Sequence, residues 1–139
     1  MKSIITITLA ALSLCFCSCS GDKKNDYSDK RAREEEGGQK CLDEAREALS
    51  KKEYQIARTS IEQLRQDYPL ALNAREEGIL LLDSINLFEA ENEIKKINVL
   101  LRDQTGNKDS LQIEFEDLFQ KSKFYKRKLE HDKKERKLH

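Results

Sequence analysis

Apolar and polar positions sort this chain into stretches of different character. Ser3 to Phe16 is a nearly unbroken apolar run, Ser20 to Gly38 (SGDKKNDYSDKRAREEEGG) is polar and charged, and from Gln39 onward apolar residues recur at three- and four-residue steps. Such steps line one face of an α-helix. Cys41, Leu42, Ala45, Ala48 and Leu49 predict a first helix. Tyr54, Ala57, Ile61 and Leu64 predict a second, which ends at Tyr68-Pro69 because the residue before proline avoids helical angles. Ser50 to Glu53 leaves room only for a turn, so the two helices lie antiparallel and share their apolar faces. Ala57 belongs to the shared face and Arg58, one residue along, to the outside.

Further on, Leu80, Leu87, Ile94 and Leu101 recur every seven residues with Ala90 and Ile97 between them. This predicts one long helix from about Leu70 to Asp103, the repeat of a coiled-coil seam. Thr105-Gly106-Asn107 supplies a turn. From about Asp109 a last helix carries Leu111, Phe115, Leu118, Ser122, Tyr125 and Leu129 at steps of four, three, four, three, four, a second seam whose nearest partner is the long helix before it. The expected fold is all-α: an antiparallel helix pair followed by an antiparallel coiled-coil-like hairpin.

Composition agrees with solvated amphipathic helices, since 37% of the 139 residues are hydrophobic and 37% charged, with one Pro, five Gly and no Trp. The 26 basic and 26 acidic side chains cancel, so no overall field favours nucleic acid. Charge is instead distributed along the chain. Residues 54–120 hold 13 acidic and 7 basic side chains (net −6), whereas 121–139 hold 3 and 9 (net +6). The basic end is therefore expected to pair with the acidic middle.

At the N-terminus, Lys2 followed by Ser3 to Phe16 has the length of an export-signal core and is too short to span a bilayer. Of the three alternating cysteines, Cys15 follows Leu14, Cys17 follows Phe16 and Cys19 follows Ser18. This resembles the processing site of bacterial lipoproteins, in which a small residue precedes the cysteine that becomes the acylated N-terminus. The resemblance implies a signal over 1–18, lipidation at Cys19 and a cell-envelope location. Ser20, where Asp would favour inner-membrane retention, favours the outer membrane; the periplasmic side is the preferred orientation, with the cell surface as the alternative. Residues 19–38, poor in large apolar side chains, read as the lipidated cysteine and a flexible tether. Residues 39–130 then form the helical domain and 131–139 a charged tail.

The first helix pair resembles a tetratricopeptide repeat: Ala45, Ala57, Ile61, Leu64 and Pro69 fall at the family's intervals. The family's Trp and first-helix Tyr positions are held by Cys41 and Ala48. Leu64 to Pro69 (LRQDYP) is similar to repeat ends of BamD-like outer-membrane lipoproteins. Stepping 33 residues takes Ala45 to Gly78 and Ala57 to Ala90, a hint of a second repeat, but it takes Pro69 to Arg102, and the long helix is the preferred reading. Lys123 to Lys133 (KFYKRKLEHDK) with Arg75 to Asp83 (REEGILLLD) resembles small outer-membrane lipoproteins of the Bacteroides type. The tetratricopeptide resemblance implies binding through a groove or helix face, and the lipoprotein resemblance transfers no catalytic residue.

Little in the sequence suggests chemistry. His131 and His139 stand eight apart in a charged tail, far from metal-ligand spacing, and no nucleophile elbow, phosphate-cradling loop or H-E-x-x-H is present. Cys41 sits on a core-facing helix position, where packing accounts for it. No cofactor or metal and no catalysis are expected. The expected partners are the membrane, through the lipid anchor, and another envelope protein, with a homodimer through the long helices as the alternative.

Overall fold

A computed structural model describes residues 22–137, with side chains from residue 26. The expected signal segment and Cys19 lie outside the described residues. The chain forms four helices, α1 (Asp22–Ser50), α2 (Tyr54–Asp67), α3 (Leu72–Arg102) and α4 (Lys108–Arg136), and no strand among the described residues. The fold is all-α as expected, and the long helix is a single uninterrupted element.

Two hydrogen-bond patterns end helices without glycine. After α1, Lys52 takes a φ of 62° while its N–H reaches Leu49 O and that of Glu53 reaches Ala48 O. After α3, Gln104 takes a φ of 53° while its N–H reaches Leu101 O and that of Thr105 reaches Leu100 O. Both are left-handed caps that satisfy the last helical carbonyls. Asn107 then starts α4, its side chain accepting from Ser110 N–H at 3.0 Å.

Among the described residues α1 and α2 pack on each other and both pack on α3, whereas α4 packs on α3 alone. Cys41, Leu42, Ala45 and Ala48 of α1, Ala57, Ile61 and Leu64 of α2, and Ala74 and Ile85 of α3 with the preceding Ala71 make the core. Gly78 lets α2 approach α3, with Leu64 Cδ2 only 3.1 Å from where a Cβ would stand.

Over residues 22–38 the expected flexible tether is replaced by helix. α1 begins at Asp22, runs through Gly37 and Gly38, and is anchored to the start of α3 by two glutamates. Glu34 accepts from Leu70 N–H at 2.6 Å, and Glu35 accepts from Asn73 and Ala74 N–H at 2.9 and 3.1 Å. The N-cap residue of α3, Ala71, makes no side-chain capping bond. Glu34 and Glu35 therefore satisfy orphan donors at the α2–α3 turn and helix start, and Glu35 places negative charge at the positive end of the helix dipole. The two glycines allow close contact: Gly38 is buried against Leu64, Ala71 and Ala74, and Gly37 faces the Tyr68 ring. Residues 26–30 project as exposed helix.

The boundary at residue 130 is corrected as well. α4 continues to Arg136, whose Nε lies 3.0 Å from Glu76 of α3, while Asp132 holds Lys128 at 3.0 Å. Residues 131–136 thus pack as part of the helical domain.

Candidate functional site

α3 and α4 meet along the seam positions. Leu87 and Leu129 are buried, and Ile94, Leu101, Leu111, Phe115, Leu118 and Tyr125 are half-buried. Ala45, Ala57, Ile61 and Leu64 are buried in the core, and Pro69 lies exposed in the turn between α2 and α3.

Two polar clusters tie the helices together. Asp83, buried at 5% exposure, stands at the same seam position as Ala90 and Ile97 and accepts from Lys128 Nζ at 2.5 Å. Hydrogen bonds to Asp83 and then to Asp132 hold the Lys128 ammonium above its ordinary range. Arg58, expected to point outward, instead bridges α2 to α3. Its guanidinium forks onto both carboxylate oxygens of Glu89 and reaches Asn86 Oδ1 at 2.8 Å. Arg58 holds the Glu89 carboxyl below the usual carboxylate range, chiefly through that hydrogen bond.

Sequence reasoning left both clusters out. The signal for the first was an acid inside the α3 heptad; the second carried none, because Arg58 looks like any surface residue until α3 is placed beside it. In both clusters the polar groups are already paired with one another. Their arrangement fixes register and leaves no free nucleophile or base over a cleft. Burial pushes the Cys41 thiol up, away from the thiolate form. Among the described residues no group of three His, Cys, Asp or Glu side chains is placed to hold a metal ion. No described helix is long and apolar enough to cross a membrane.

One surface that the fold does not use is at the far end of the α3–α4 hairpin. Among the described residues, the last hydrogen bond or ion pair from α1 or α2 to α3 is at Glu89. Lys95 still lines a cleft with Leu49, Ser50, Lys52 and Tyr54, and beyond it the last two turns of α3, about 10 Å of helix, extend as an arm accompanied by α4. On it Val99 is 46% and Leu100 39% exposed. Leu100, Leu101 and Leu111 line a depression of about 370 Å3 at the tip, rimmed by Gln104, Thr105, Gly106 and Lys108. Apolar walls with a polar rim suit a protein side chain better than an ionic ligand. No protein-family model matches the chain, and no curated protein or solved structure matches it either.

Proposed function

We propose that this chain is a membrane-tethered, non-catalytic helical adaptor of the bacterial cell envelope, anchored to the outer membrane through lipidated Cys19, facing the periplasm, and binding another envelope protein with the tip of its α3–α4 arm. The observation that carries this reading is the exposure of Val99 and Leu100 beside the Leu100–Leu101–Leu111 depression, at the end of α3 farthest from the contacts of α1's N-terminal half. Large apolar side chains left in water outside the core mark an interaction surface when they cluster at one place. The lipid anchor rests on the sequence, where Ser18-Cys19 follows the apolar run. The tetratricopeptide-like spacing of Ala45, Ala57, Ile61, Leu64 and Pro69 adds a precedent for helical pairs that bind proteins.

The test is site-specific photo-cross-linking in intact envelopes. A photoreactive residue at Thr105 should capture a discrete partner, a product that Val99→Glu with Leu100→Glu abolishes and Gln66→Glu on α2 does not. Cys19→Ala should shift the chain from the detergent phase to the aqueous phase on phase partitioning. Unchanged cross-links in the double glutamate variant would remove the arm as the binding site, and unchanged partitioning would remove the anchor.

A further inference from the structure

The outward face of α4 carries a pattern that neither the fold nor the arm tip uses. Asp109, Ile113, Glu116, Gln120, Phe124, Arg127, His131 and Lys134 follow one another at steps of three and four, so they share one helix face, and all are exposed. Ile113 and Phe124 are among the most exposed large apolar side chains, at 72% and 55%. Among the described residues no helix other than α3 packs on α4, and the seam residues take the opposite face. The stripe is therefore open along its whole length.

Its charges are arranged with a sense. The first half of α4, residues 108–120, has 4 acidic and 1 basic side chains (net −3), and 121–137 has 3 and 9 (net +6). Reversing the stripe and laying it on itself pairs Asp109 with Lys134, Glu116 with Arg127, Ile113 with His131 and Gln120 with Phe124. Each acid of one copy then faces a base of the other. A parallel alignment would set like charges together, which opposes association.

We infer that a second copy of this chain docks on the outward face of α4, antiparallel about a two-fold axis that passes between Gln120 and Phe124. Such a pair is isologous: the same stripe serves both copies, and four ion pairs flank a centre where each Phe124 covers the aliphatic part of the facing Gln120. The pairing is independent of the lipid anchor and of the arm's partner, and it leaves both arm tips uncovered, one at each end.

Sedimentation of the full chain in density-matched detergent tests this. At low salt the chain should sediment as a dimer that dissociates as salt rises. Glu116→Lys should weaken the dimer at least tenfold, and adding Arg127→Glu to that variant should recover it, because the swapped pair is again complementary. Circular dichroism of both variants should match the parent, since both side chains are exposed. Geometry is read by a short thiol cross-linker: Gln120→Cys should link copy to copy, and Ile113→Cys should not. A monomer at every salt and protein concentration, a dimer indifferent to Glu116→Lys, no recovery with Arg127→Glu, or efficient self-linking through Ile113→Cys would each overturn the inference.

Discussion

At Gly38 a hydrogen is the only side chain that fits. A Cβ there would stand 2.8 Å from Leu64 Cδ1, 2.9 Å from Ala71 Cβ and 3.0 Å from Ala74 Cβ, and the two alanine contacts are fixed to backbone that cannot move aside. Alanine has the better helix propensity by about 1 kcal/mol, yet overpacking costs about 1 to 3 kcal/mol, so Gly38→Ala should destabilise the fold in urea unfolding. At Gly37 the obstacle is the half-buried Tyr68 ring, which can swing away, and Gly37→Ala should cost less. A second residue-scale prediction concerns acid. Because Arg58 lowers the Glu89 carboxyl, the stabilisation from this pair is fully present above the unfolded carboxylate pKa of about 4.3 and is lost as pH falls through the lower folded value. Glu89→Gln should therefore lower the melting temperature at pH 7 and flatten its decline below pH 4. Equal pH profiles for the two proteins would show that the fork carries no net stabilisation.

Between α3 and α4 the element that sets register is Asp83 against Lys128. The two partners are unequal, since the Asp83 side chain is 7% exposed and that of Lys128 36%. Lys128→Met leaves a buried acid without a counter-charge and should cost about 2 to 3 kcal/mol. Asp83→Leu restores the apolar seam and lets Lys128 keep Asp132, so its cost should stay below about 1 kcal/mol. The reverse order in denaturant midpoints would remove the register role. The α3–α4 hairpin could be read from the sequence because its three-and-four spacing survives intact and Thr105-Gly106-Asn107 marks the reversal. The start of α1 could not, for a physical reason. Burial there is achieved by Gly37 and Gly38, whose contribution is the space they leave, and by Glu34 and Glu35, whose partners lie 36 to 39 residues away. A rule that looks for large apolar side chains sees a linker in such a segment. Arg58 escaped for the same reason, its partners lying 28 and 31 residues along the chain.

Over the whole molecule, α3 is the common member, holding the α1–α2 pair on one side and α4 on another. The end of α4 is stitched to the beginning of α3, so removing residues 131–139 takes away Arg136–Glu76 and Lys128–Asp132 together. Half-exposed pairs contribute about 0 to 1 kcal/mol each. The truncation should lower the melting temperature by about 5 °C and leave the far-ultraviolet spectrum of the rest unchanged. An identical melting temperature would return these residues to the status of an unattached tail. The order of packing also bears on how quickly the chain assembles. Each helix lies against the next one in sequence, so most contacts close short loops, and refolding should be complete within about a millisecond, as in other helical proteins of low contact order. The Glu34 and Glu35 bonds skip over α2 and require the start of α3 to exist before they can form. In temperature-jump relaxation experiments Glu35→Gln should therefore speed unfolding and leave the refolding rate untouched: the first half of α1 is a latch closed after the transition state, which sets the lifetime of the native state rather than its rate of formation.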